Sequence, residues 1–288
     1  VVTPEQAKQA YLALAQGPTA AFLKAATGSL REISTAQASL LASPEAVPDP
    51  STTHDVTVWV GHQSSYPASF LCIDSMGVSG RPTTPYLFRL DRASASAPWT
   101  VSYQMQFASP ADIPAVALDG SGYAQSVSSE RYGRFTASPA SLARDYAAYL
   151  GAGNSTDDHE FVPGQFTSGL IDANNKVIRS AAQDKHVSVT ESWSITGDPV
   201  AAYLLSDGGV LVLLGVRATA HAVPRSGTIT IVQDGRGVTA PAPGKYRDTT
   251  TVSLLLAAFT VPPKGSADKV SAVAGYNGAV SSTGTPPT

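Results

Sequence analysis

The densest polar cluster in the sequence is Asp157-Asp158-His159-Glu160, and its residue types suit two chemistries. Clustered carboxylates can hold a hard cation, and a carboxylate beside an imidazole can place a general base. The same residues also make a solvated loop in which Ser155 or Thr156 caps a short helical turn. No partner ligand from another segment is identifiable. Asp74 and Asp207 each follow an apolar run. Beside a tyrosine, either could act as a general base, although at a strand end or turn a solvated structural role is commoner.

Four histidines remain: His54, His62, His186 and His221. His54 and His186 stand near the starts of expected strands, where an imidazole either enters a pocket or stays at the surface. His62 and Tyr66 fall in an expected interstrand loop. Tyr11 and Tyr146 fall mid-helix, and Trp59, Trp99 and Trp193 fall on strands. A helix laid across a curved sheet can leave a cone-shaped pocket, which makes Tyr11, Trp59, Tyr146 and Trp193 the candidate ligand-binding residues. The competing reading uses these aromatics to fill the core.

Common catalytic signatures are missing: there is no G-x-S-x-G, H-E-x-x-H, C-x-x-C or G-x-G-x-x-G. The one cysteine, Cys72, sits in the apolar run SFLCIDSM and reads as a buried, inert thiol. No catalytic residue, metal ligand or cofactor is assigned.

The elements that position these residues are more legible. Residues 199–217, PVAAYLLSDGGVLVLLGVR, hold two apolar runs around Asp207-Gly208, a strong hairpin signal. The second run, Val210 to Leu214, has no polar alternation, so as a strand it needs cover on both faces or a central place in a curled sheet, and a buried helix is the competing reading. Thr3-Pro4-Glu5-Gln6 and Ser138-Pro139 are helix starts. Strands are expected over 55–60, 69–74, 86–91 and 99–107, then over 187–195, 201–205, 210–218, 228–232, 249–260 and 269–274. Residues 281–288 read as a frayed, disordered tail.

Order and spacing suggest duplication. Ser138-Pro139 follows Thr3-Pro4 by 135 residues, and Tyr146 follows Tyr11 by the same interval. Trp193 against Trp59, and Tyr203–Asp207 against Phe70–Asp74, lie near that offset. The expected organisation is a first unit over 1–108, a connector over 109–137 and a second unit over 138–280. Charged residues are only 14% of the 288, against about 25% in ordinary globular domains. The net charge of −3 gives nucleic acid no electrostatic footing, and no apolar run is long enough to span a membrane.

TPEQAKQAYLALAQG, ATGSL, SAPWTVSYQ, LDGSGYAQSV and YLLSDGGVLVL resemble an actinobacterial family of secreted proteins and lipoproteins carrying a domain of unknown function. Helices followed by a curled sheet also resemble the cystatin-like (nuclear transport factor 2-like) fold. The resemblance implies an α+β protein of two tandem cystatin-like units, each with N-terminal helices packed on a curved, mainly antiparallel sheet. It further implies export, a lipid anchor on a cysteine upstream of Val1, and a place secreted or on the outer face of the cytoplasmic membrane. The expected role is a non-catalytic binding or scaffold protein of the cell envelope, with an envelope protein or a small apolar ligand as partner. The alternative is an isomerase- or cyclase-like enzyme using a pocket carboxylate, as single-domain relatives do.

Overall fold

A computed structural model of the chain describes residues 2–17, 19–38, 53–78, 81–82, 84–157, 160–184, 186–232 and 239–288. Helix α1 (Pro4–Ala15) opens on a closed capping box, with Gln6 N donating to Thr3 Oγ1 at 3.3 Å and Thr3 N to Gln6 Oε1 at 3.0 Å. Helices α2 (Thr19–Ala25) and α3 (Gly28–Ala38) follow. Strands β1 (Thr53–Val60), β2 (Ala68–Val78), β3 (Arg81–Pro82), β4 (Tyr86–Arg92) and β5 (Thr100–Phe107) complete the first half. Two 3-10 turns, Pro110–Asp112 and Ser129–Arg134, occupy the intervening segment. Helix α4 (Pro139–Ala152) opens on a second box, from Ser138 and Ser141, and α5 (Ser168–Asp184) comes next. The remaining strands are β6 (Val187–Ile195), β7 (Ala201–Leu204), β8 (Val210–Pro224), β9 (Ile229–Ile231), β10 (Gly244–Tyr246), β11 (Asp248–Val261) and β12 (Ser271–Thr285).

The fold is α+β around one large antiparallel sheet. Among the described residues its ten strands run β1-β2-β4-β5-β12-β11-β8-β6, with β3 on β2 and β7 on β8, while β9 and β10 pair separately. The two sheets expected from the sequence are thus joined as one, because β5 and β12 meet edge to edge. Their ladder has only two residue pairs, Ala274 with Phe107 and Gly275 with Gln106.

The expected tail is a correction. Residues 281–285 are the end of β12, paired from Val252↔Ser281 to Asp248↔Thr285. The Thr-rich start of β11 needs partners for its backbone groups, and β12 supplies them. Small residues in β12 reflect close approach rather than fraying. A Cβ at Gly275 would meet Phe166 Cδ1 at 2.6 Å, and one at Gly278 would meet Ile33 Cγ2 at 2.8 Å.

The unbroken apolar run of β8 is covered on both faces. Leu211 and Leu213 join a core with Leu30, Phe70, Leu254 and Leu256. Val210, Val212, Leu214 and Val216 join a second core with Leu142, Tyr146, Leu255 and Phe259. A period of two sends alternate residues to opposite faces, so the first half covers one side and α4 the other.

Helix α3 fastens the seam, packing on β5, β11 and β12. Asp198, in the link from β6 to β7, accepts from Ser29 N at 2.9 Å, from Ser29 Oγ, and from Thr196 Oγ1 at 2.6 Å. A carboxylate at the N-terminus of α3 satisfies orphan helix donors and favours the helix dipole. Gly215 leaves the room, since a Cβ there would meet Thr196 Oγ1 at 2.4 Å and Asp198 Oδ2 at 2.7 Å. Across the same junction Arg89 Nη1 donates to the Pro199 carbonyl at 2.9 Å, and Arg217 pairs with Glu32 at 3.0 Å in solvent.

Asp198→Ala is expected to lower the unfolding free energy by about 1–2 kcal/mol, a melting shift of roughly 2–8 °C. Glu32→Ala, which removes an exposed pair, should stay within about 0.5 kcal/mol of wild type. Urea titration of both variants checks the contrast; equal losses would mean that Asp198 does not fasten the seam.

Candidate functional site

Asp74 lies inside β2, opposite Val56 of β1 and Tyr86 of β4. Strand alternation puts Phe70 and Cys72, His54 and Val56, and Phe88 on the same face as Asp74. Helix α1 lies over that face, with the Tyr11 ring 5.0 Å from that of Phe88. The Tyr11 hydroxyl donates to Asp74 Oδ2 at 2.7 Å, and His54 Nδ1 stands 2.6 Å from the same oxygen. Asp74 is 0% exposed, Tyr11 is 1% exposed and the His54 side chain is 10% exposed. The other carboxylate oxygen, Oδ1, is buried without a hydrogen-bond partner among the described residues.

Burial, followed by the nearby Cys72 and Asp74, pushes the Tyr11 phenol far above its ordinary range. It therefore stays protonated and serves as a fixed donor. Burial, helped by Asp74, likewise raises the Cys72 thiol, which remains a thiol and no nucleophile. A carboxylate between a phenol and an imidazole is a donor and acceptor set suited to general acid–base chemistry. Here the set is enclosed, and a substrate would have to displace packed side chains to reach Asp74.

The other candidates divide between the two cores. Trp59 is buried in the same core as Tyr11, but its odd position on β1 turns it to the face opposite His54. Tyr146 is fully buried in the second core, where its hydroxyl donates to the Phe166 carbonyl and its ring lies 4.7 Å from that of Phe259. Trp193, half-buried, donates from Nε1 to Glu191 Oε2 at 2.9 Å. Tyr11 and Trp59 thus belong to one core, and Tyr146 and Trp193 to the other. Asp207 holds the hairpin turn by accepting from Gly209 N at 2.8 Å, beside an open cleft of about 410 Å³ that Asp268 and Lys269 also line.

His62 is exposed, 2.5 Å from Asp119 and stacked on Tyr123 at 4.3 Å. The Tyr123 backbone N–H, then His62 and the Ser121 N–H, hold the Asp119 carboxyl below its usual range. Asp158 and His159 of the acidic cluster lie outside the described residues. Among the described residues no three His, Cys, Asp or Glu side chains gather to hold a metal. The sequence nominated Asp74 and Tyr11 separately but did not join them or add His54, because these partners stand 63 and 20 residues away. The usable signal was shared parity on adjacent antiparallel strands.

Burial also holds the phenols of Tyr103 and Tyr146 above their ordinary range. A phenol whose folded value is raised contributes fully below its unfolded value, near 10, and loses that contribution as the pH climbs past it. Urea unfolding is therefore expected to show stability falling above about pH 10, with phenolate absorbance of these residues appearing only on unfolding. Tyr11→Phe, which removes a donor from a buried carboxylate, should cost about 1–3 kcal/mol at neutral pH. A variant as stable as wild type would show that Asp74 does not depend on that bond.

No helix among the described residues is long and apolar enough to cross a membrane. No curated protein matches the chain, and no solved structure does. Residues 9–284 match the model of a family described as a domain of unknown function. The sealed carboxylate, the β5–β12 ladder and the seam helix all lie within that span, and the chain belongs to the family described as Domain of unknown function (DUF8094).

Proposed function

We propose that the chain is a non-catalytic, extracytoplasmic binding or scaffold protein of the cell envelope, built from two fused copies of one cystatin-like (nuclear transport factor 2-like) unit. The observation that carries the duplication is strand order. In the first half, helices precede four strands ordered β1-β2-β4-β5, and in the second, helices precede β6-β8-β11-β12. Each set is antiparallel between successive neighbours, and the last strands of the two sets meet. Each half opens on a capping box with proline, followed by a buried tyrosine at the same interval: Thr3 and Tyr11, Ser138 and Tyr146. Each has a tryptophan on its first strand, Trp59 and Trp193. The Tyr203–Asp207 run does not fit this correspondence, because it closes β7 and the turn, whereas Phe70–Asp74 lies inside β2, whose counterpart is β8.

A binding role rather than catalysis follows from the enclosure of the Tyr11, His54 and Asp74 cluster, which fits a structural polar network better than a reaction centre. Low charge and the resemblance to exported actinobacterial proteins support an envelope location. In fractionated native cells the protein is expected with the envelope or the medium, and open to protease added to intact cells. Recovery in the protected cytoplasmic fraction would overturn the location.

The same three side chains favour one alternative, an isomerase- or cyclase-like enzyme with Asp74 as base and Tyr11 as donor. Screening enolisable small apolar substrates against wild type and Asp74→Asn separates the two. The binding reading expects no turnover above background in either protein. Turnover abolished in an Asp74→Asn protein that retains its far-ultraviolet spectrum would establish the enzyme.

A further inference from the structure

The geometry points to a small-molecule site outside the Asp74 cluster: a cleft beneath the 3-10 turn Ser129–Arg134 that takes an organic anion with an apolar body. The cleft encloses about 310 Å³ and is lined by Val127, Arg131, Arg134, Phe135, Leu204, Gly208 and Pro263. That volume lies at the small end of the range that ligand pockets occupy. The site goes beyond the scaffold reading and holds whether or not the chain is exported.

The frame of the cleft is fixed from three sides. Val127 N donates to the Ala202 carbonyl at 2.9 Å, tying the start of the turn to β7. Thr136 N donates to the Pro262 carbonyl at 3.1 Å and Lys264 N to the Arg134 carbonyl at 2.7 Å, tying its end to the exit of β11. The third side is the β7–β8 turn, where a Cβ on Gly208 would meet nothing within 4 Å. The floor is apolar, with Val127 at 7% and Phe135 at 6% exposure and Leu204 half-buried beside them.

Arg131 and Arg134 stand exposed at the rim. Neither guanidinium makes a hydrogen bond or ion pair among the described residues, in a chain whose net charge is −3. Arg89 and Arg217, by contrast, are paired: Arg89 with Asp91 and the Pro199 carbonyl, and Arg217 with Glu32. Two unneutralised planar forks above an apolar floor fit a carboxylate or a phosphate monoester on a short hydrocarbon chain. The head meets the arginines and the chain lies on Val127, Phe135 and Pro263.

Calorimetric titration of the full chain with octanoate, octyl phosphate, octanol and acetate tests the site. At least one of the two amphiphilic anions is expected to saturate one site, with octanol and acetate at least about tenfold weaker, because each lacks half of the ligand. The stronger of the two anions identifies the head group as carboxylate or phosphate. The double variant R131Q/R134Q should lose about tenfold or more in affinity with an unchanged melting temperature, since both side chains are exposed and unpaired. The R131K/R134K variant keeps the charge without the fork and should fall between. Amide shifts in wild type are expected to cluster at 127–135, 204–208 and 264, the amide next to Pro263. Absence of saturable binding by both anions, equal binding of octanol, an unweakened R131Q/R134Q protein, or shifts centred elsewhere would overturn the proposal.

Discussion

Everything in this molecule depends on the two strands β8 and β11, which bury side chains on both faces. Val210 through Val216 are buried without a break, and β11 alternates between the same two cores, with Leu254 and Leu256 on one side and Leu255 and Phe259 on the other. Each large apolar side chain so buried contributes roughly 1.5–3 kcal/mol, which makes exposure of either face costly. Helix α4 covers one side. The other is covered by the first half of the chain, so the halves cannot part without wetting a core face.

That constraint explains why the seam tolerates so short a ladder. Two residue pairs between β5 and β12 would hold nothing alone. Fusion rests instead on side-chain packing and on polar contacts that settle the orientation of α3. Asp198 reaches the amide end of that helix, while the Tyr276 hydroxyl donates to Gln37 at the other end. Burial supplies the adhesion and these bonds select one geometry among those that burial alone would permit.

Local chemistry was legible in the sequence and long-range chemistry was not. Thr3-Pro4 and Ser138-Pro139 specify helix starts through neighbours three residues on, and Asp207-Gly208 specifies its turn within four residues. The unbroken run at Val210 announced double cover, because a strand with no polar alternation has no face to give to water. The end of β12 misled for a physical reason. Its glycine and serines carry little strand propensity of their own, and it is a strand because β11 offers a partner, with the Tyr246 ring standing where a side chain on Gly284 would go. The Asp74 cluster was half-legible: the residue types were in view, but whether a mid-strand aspartate faces solvent or core is decided by which face α1 covers. Arg131 and Arg134 carried no signal, since exposed arginines are common and their meaning comes from a floor assembled out of distant segments.

Burial then decides what each polar group can do. Asp74 takes its donors from Tyr11 and His54 in a buried space, and these bonds tie α1 and β1 to the middle of β2. Its free oxygen marks incomplete satisfaction, which lowers stability without creating access. At the 3-10 turn the balance is reversed. The backbone is tied at both ends to β7 and to the exit of β11, the floor is apolar, and the two guanidinium groups are unpaired among the described residues. A frame that need not reorganise loses little conformational freedom when something enters it. The polar cluster is thus closed by packing on both sides, whereas Arg131 and Arg134 stand in solvent beside an apolar floor.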